Sequence, residues 1–479
     1  MPDAPDEGRG TSKIWFVVAI VAIAAFGVRV YQVQSQKDDE DASPWRNKTP
    51  IDVVISQIEH GDDDARAYAF SDLIRNVTEP SEFDAIFPHL IQGLRDPSDD
   101  VRIAAASVVG NLVSRFARKP AAGWGEEASD STLCVSALDS LTAMLDALPS
   151  TERATVLRSI GNVAAVGRPD IPPAQLIACL DDELENVRVE AVKALLWYRK
   201  GPEAVVPVAL RRLPGEGQQA RKAYSDVFWF TRLEPSALPA LVDGLRSENT
   251  EVCLVSTVGI NHMGREARPA LPDILALIRR ELEAPHHFDQ SRGSDILGMA
   301  SGAIGELTSD DDHPPDAVDL LCKVLESADE AETNPGPDRP ELPGRSTRAL
   351  KMFLETRRAE AVWSLGIIGR TSLPAVPRLV SLFESTPEHS AHLRVLLAEA
   401  LAAICRGTPE EGRVLDILAK AWKTAPQKQM IVLARALRTL SPKADQVVPG
   451  LKDMPPDEEG SEIRRVRYPR DRSGYPVRE

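Results

Sequence analysis

The sequence predicts an all-α chain: a right-handed α-solenoid of about nine or ten antiparallel helix pairs over residues 51–455, preceded by one N-terminal transmembrane helix. Three observations carry this. Phe87–Leu112 reads as two helices joined by a tight acidic turn. Two short markers within that stretch recur along the chain. Near the start, Ile14–Val28 is uncharged and apolar on every helical face.

Taken in order, residues 1–13 are polar. The apolar trend from Ile14 passes Arg29 and continues to Val33, and a helix over 14–33 would be about 30 Å long, enough to span a bilayer. Arg29 lies near one end, where a long cation can snorkel, and Trp15 and Tyr31 fall near opposite ends, as interfacial aromatics do. A cleaved signal peptide is the rival, with Lys13 as its basic flank and Ala22-Ile23-Ala24 as a small-residue site, although that cut falls inside the apolar run. A buried solenoid helix is the third reading. Positive charges beyond the span favour a cytoplasmic body, whereas Lys13 directly before it favours an exported one. The expectation leans to a single-pass membrane protein with an exported body. Residues 34–50 are acidic and polar and read as a linker.

Helix pairs begin at Ile51. In the unit at Phe87–Leu112, Val101, Ala104, Ala105, Val108, Val109 and Leu112 give the second helix one apolar face, kept thin by alanines. Asp96, Ser98 and Asp99 precede it, where side-chain oxygens can satisfy free N–H groups. Pro88 is expected early in the first helix, where its missing N–H costs least. Neither helix can bury its face alone, but a stack of such pairs can. An apolar-Pro marker returns at Val206-Pro207, Leu238-Pro239, Leu271-Pro272, Val376-Pro377 and Val448-Pro449. An apolar-Gly marker late in the second helix appears at Gly110, Gly161, Gly305 and Gly366, with a partial copy at Gly259. The glycines recur at intervals of roughly 45–60 residues, one interval being double, and Gly in a helix interior points to close helix–helix approach. Second helices are expected to begin near Ala65, Val101, Thr151, Val187, Gln218, Glu251, Ser294, Arg358, Leu393 and Lys428. Lys119–Ser131 and an insertion at about 328–348 read as surface loops, and 456–479 as a disordered Arg-rich tail.

The Phe87-Pro88-x-Leu90 start, the acidic turn and Asp100-Val101-Arg102 resemble the HEAT repeat family, with armadillo-type repeats as relatives, and the resemblance spans about residues 50–455. It implies Asp and Arg laddering between neighbouring turns. Val187-Arg188 repeats the pattern, but units without the Arg are expected to break the ladder.

Composition excludes several functions. Aromatics are 5% against 43% hydrophobic residues, which suits stacked helices better than a sandwich or barrel. A net charge of −16 argues against a broad nucleic-acid surface. Cys134, Cys179, Cys253, Cys322 and Cys405 are scattered among apolar residues and read as small buried hydrophobes. No phosphate-binding loop, His-Glu-x-x-His or Gly-x-Ser-x-Gly is present. His286-His287 and the pair His389 and His392 lack a third ligand nearby, and Asp310-Asp311-Asp312 lacks the alternating ligands of an EF-hand. HEAT-like peptidyl-lysine hydroxylases carry His-Glu dipeptides, which this sequence lacks, and HEAT-like alkylpurine DNA glycosylases use a basic groove, which the acidic body departs from. The reading is therefore a non-catalytic, membrane-tethered scaffold for protein partners, with no cofactor or metal, its acidity suggesting a basic partner. An enzyme accessory of lyase-like HEAT type is one alternative. Binding of nucleic acid or anionic lipid by Arg464, Arg465, Arg467, Arg470 and Arg472 of the tail is the other.

Overall fold

The computed structural model describes residues 49–116, 129–167, 169–231, 233–283, 288–289, 294–308, 313–333, 346–387 and 390–454. The expected membrane span at 14–33, the linker up to Lys48 and the tail at 456–479 lie outside these residues. Among the described residues no helix is long and apolar enough to cross a membrane. The chain divides into two compact units, Met1–Trp124 and Gly125–Glu479.

Among the described residues the first unit holds two helix pairs, α1 (Ile51–His60) with α2 (Asp63–Asn76) and α3 (Pro80–Gly93) with α4 (Asp99–Phe116). Asp62 caps α2 by accepting from the Ala65 N–H at 2.9 Å. Glu79 and Glu82 form a capping box for α3, whose first residue is Pro80. That start places Pro88 inside the helix and not early in it. Phe70, Leu73, Ile86, Leu90, Val101, Val108 and Leu112 form the core between the pairs. Phe83 meets Phe87 edge-on with ring centroids 5.5 Å apart and stacks on Phe116 at 5.6 Å.

The second unit holds eight pairs: α5 (Ser129–Leu145) with α6 (Ser150–Gly167), α7 (Ala174–Ala178) with α8 (Glu185–Leu195), α9 (Gly201–Arg212) with α10 (Gln218–Phe230), α11 (Leu238–Leu245) with α12 (Thr250–Met263), α13 (Leu271–Glu283) with α14 (Ile296–Leu307), α15 (Ala317–Thr333) with α16 (Ser346–Ile368), α17 (Val376–Ser385) with α18 (Ala391–Cys405), and α19 (Glu411–Thr424) with α20 (Gln427–Leu440). A short helix, α21 (Ala444–Val447), follows. The second helices pack in one unbroken row, α6 on α8, α8 on α10 and so on to α20. A two-residue antiparallel pairing of Phe288–Asp289 with Ser294–Asp295 precedes α14.

All ten expected second helices are present, and nine begin within two residues of the expected position. The exception is α16, which starts at Ser346 where Arg358 was expected. The same packing corrects the expected insertion at 328–348. Helix α15 continues to Thr333, and Ala328 and Ala331 bury against Leu354 in the early turns of α16. Only 334–345 of that stretch lies outside the described residues. Likewise Ser129–Ser131, expected in a loop, already belong to α5.

The two markers resolve into geometry. Pro239, Pro272 and Pro377 each occupy the second position of a helix, where the absent N–H has no partner to lose. Pro88 and Pro207 fall inside theirs, and Pro449 follows α21. Three of the recurrent glycines, Gly161, Gly305 and Gly366, mark contacts between successive second helices. A Cβ on Gly161 would come within 3.2 Å of the Ala194 Cα, and one on Gly366 within 3.0 Å of the Ala400 Cα. Gly259, the partial copy, instead faces Leu241 and Leu233.

Candidate interaction surface on the second helices

The arginine ladder is more continuous than the sequence suggests. In five second helices an Arg in the first turn reaches the carbonyl five residues back, in the turn that precedes its helix. Arg66 donates to Gly61, Arg102 to Pro97, Arg153 to Leu148, Arg188 to Glu183 and Arg221 to Glu216, at 2.9–3.1 Å. These carbonyls would otherwise lack a partner at the connection. Most of these arginines also reach an acid of the next repeat. Arg66 grips Asp96 with two hydrogen bonds at 2.9 and 3.1 Å. Arg153 pairs with Asp182 at 2.9 Å, Arg188 with Glu216 at 2.5 Å and Arg221 with Glu251 at 3.3 Å. Paired charge-assisted bonds of this kind fix one repeat against the next. Asp96, expected to cap α4, is instead committed to Arg66 and to the Ser98 N–H.

Sequence reasoning found Arg102 and Arg188 because each follows a valine. It missed Arg66, Arg153 and Arg221, which follow Ala65, Glu152 and Ala220. The available signal was an Arg in the first turn after an acidic or Gly-rich connection, whatever residue precedes it.

The ladder sets a common register for the outward-facing residues. Five residues after the ladder Arg stand Arg158 in α6, Lys193 in α8 and Asp226 in α10. The Glu190 carboxylate, largely buried, is held from both sides. Arg158 Nε lies 3.5 Å from one oxygen and Lys193 Nζ 3.0 Å from the other. In α10, Lys222 pairs with Asp226 at 2.7 Å. Trp197, one turn beyond Lys193, is exposed. Elsewhere on this unit, Arg212 and Arg211 both bond to Asp181, and the Arg212 hydrogen bond leads in holding that carboxyl below its usual range.

The expected tail contacts Arg464, Arg465, Arg467, Arg470 and Arg472 lie outside the described residues, as do His286, His287, His389 and Asp310–Asp312. His392 is exposed at the start of α18. Among the described residues no group of His, Cys, Asp or Glu is arranged to hold a metal ion.

All five cysteines are free, and four of them are buried. Burial pushes the thiols of Cys179, Cys253 and Cys405 up to about 11, for Cys253 despite an Arg280 guanidinium nitrogen 3.3 Å from its sulfur. The neutral thiol is thus favoured in the native state, and the unfolded chain releases these protons first. Stability is expected to fall as pH rises from 9.0 toward about 11, with a lower urea midpoint at pH 10 than at pH 8. At pH 8 iodoacetamide should label at most the half-buried Cys322 in native protein and all five thiols after unfolding. Rapid native labelling of Cys253 or Cys405 would contradict this burial.

Residues 86–116 match the family model of the HEAT repeat. That match covers the second half of α3 and all of α4, the unit from which the repeat plan was read. Comparison with curated proteins found no match. Among solved structures, an engineered protein aligns at 17% identity and TM-score 0.46, over 82% of this chain and 99% of that one. Yeast importin-β (Kap95p) aligns at 13% identity and TM-score 0.47, over 83% of this chain and 52% of its own length. The karyopherin Kap121p, solved bound to the SUMO protease Ulp1p, aligns at 12% identity and TM-score 0.45, over 84% and 46%. This chain thus spans about half the length of the two karyopherin chains.

Proposed function

We propose that this protein is a membrane-tethered, non-catalytic scaffold that holds a protein partner along its second helices. The observation carrying this reading is the unbroken row from α6 to α20, with apolar sides buried in the stack and charged side chains such as Arg158, Lys193 and Lys222 left exposed. Such a row offers many weak contacts to an extended partner. The HEAT repeat at 86–116 supports the same reading. The apolar stretch at 14–33 supports the tether, and Lys13 before it supports an exported body. The net charge of −16 favours basic partners at long range, and the tail arginines add a second contact.

Affinity purification of the tagged full-length chain, with and without residues 463–479, tests the scaffold. A reproducible, near-stoichiometric protein is expected, whereas a folded chain that enriches nothing would move the function to a small ligand, a lipid or an enzyme. Carbonate extraction tests the tether. The chain should stay with the membrane, and release with a new N-terminus near Ala25 would make the segment a cleaved signal.

A further inference from the structure

Arg158 and Lys193 occupy the same repeat position on neighbouring helices, five residues after their ladder arginines, and both turn onto Glu190. Their side chains are 63% and 58% exposed, while that of Glu190 is 11% exposed. The acid therefore lies underneath and the two cations form the outer layer. One carboxylate cannot neutralise two cations, so this face keeps a surplus positive charge although the whole chain carries −16. Trp197 stands four residues after Lys193, in the turn just past the end of α8, and is 39% exposed. The next repeat ends the patch, because the equivalent position is Asp226 and Lys222 pairs with it.

We infer that this face of α6 and α8 docks an extended acidic segment of a partner protein. Its Asp or Glu side chains pair with Arg158 and Lys193, and an apolar neighbour lies against Trp197. Charge complementarity selects that occupant. A basic peptide would meet two exposed cations, and Glu190 beneath them is already engaged by both. The Arg158 guanidinium and the Lys193 ammonium keep free N–H donors beyond those directed at Glu190, so an incoming carboxylate need not displace it. The inference rests on the scaffold reading and narrows it to one sign of partner at one place. Long-range attraction and local recognition then differ in sign, which disfavours non-specific acidic ligands while leaving this one face able to take them.

The test is fluorescence anisotropy with the full-length protein in detergent and two short labelled peptides, one of repeated Asp-Glu-Leu and one of repeated Lys-Arg-Leu. The acidic peptide is expected to bind saturably. Arg158→Glu with Lys193→Glu should weaken it about tenfold or more. Trp197→Ala should weaken it several-fold, and Arg158→Gln with Lys193→Gln should fall between. Helical circular dichroism checks that each variant is folded, and the glutamine pair serves if the charge reversal is not. Absent acidic binding, unchanged binding by the folded variants, or tighter binding of the basic peptide at this face would overturn the inference. A rise in affinity after Asp38→Asn, Asp39→Asn, Glu40→Gln and Asp41→Asn would assign the face to this chain's own linker and overturn a partner as its occupant. If affinity purification still recovers a partner at full yield with Arg158→Glu and Lys193→Glu while the acidic peptide fails, the scaffold stands and this docking face falls.

Discussion

Replacing Arg357 by Ala is expected to destabilise the second unit by about 3–5 kcal/mol, the cost of leaving one partner of a buried ion pair uncompensated. The Arg357 and Asp295 side chains are 1% and 3% exposed. Arg357 donates from Nε and Nη2 to the two oxygens of Asp295, the second at 2.9 Å, and from Nη1 to the Ser327 hydroxyl at 3.3 Å. Asp295 also caps α14 by accepting from the Gly298 N–H. One guanidinium thus ties α16 to the start of α14 and to α15. The measurement is the urea midpoint of helical circular dichroism. Arg246→Ala is the control, because Arg246 pairs with Asp273 at 2.9 Å but is itself largely exposed, and its loss should stay below about 1 kcal/mol. Equal midpoints for the two variants would show that the buried pair has no special weight.

Gly305→Ala should destabilise by about 1–3 kcal/mol, against the usual gain of about 1 kcal/mol for Ala over Gly in a helix. A Cβ at Gly305 would stand 2.3 Å from the Trp363 ring and 2.7 Å from the Ser364 hydroxyl. Trp363 is 1% exposed, and Ser364 is held by donating to the Ser301 carbonyl at 2.6 Å, so neither has room to yield. Gly412→Ala in α19 should have the opposite sign, because nothing lies within 4 Å of the added Cβ. Thermal unfolding of the two variants side by side checks this. A stabilised Gly305→Ala would mean that the α14–α16 contact is looser than described.

The pair α3 and α4 was legible because an amphipathic helix announces its buried face through spacing within about a dozen residues. The recurrent glycines were legible for a related reason, since a residue poor in helices must be kept there by a neighbour. Even so, the sequence could not say which neighbour, or that Gly259 faces its own first helix while Gly366 faces Ala400. The early start of α16 was hidden because the Pro- and Gly-rich run up to Gly344 reads as a loop, whereas Leu354 of α16 buries on Ala328 and Ala331 across it.

The sequence by itself determined the helical class, the repeat plan and nine of the ten second-helix starts, all of which follow from interactions between residues a few positions apart. Only the tertiary structure decided the ladder partners, the buried Arg357–Asp295 pair and the two cations over Glu190. Apart from Lys193 and Glu190, three residues apart on α8, their members lie about 30 to 60 residues apart. The reason is physical: a charge reports its own presence in the sequence, but its partner is chosen by how successive repeats stack, which depends on the packing of the whole row.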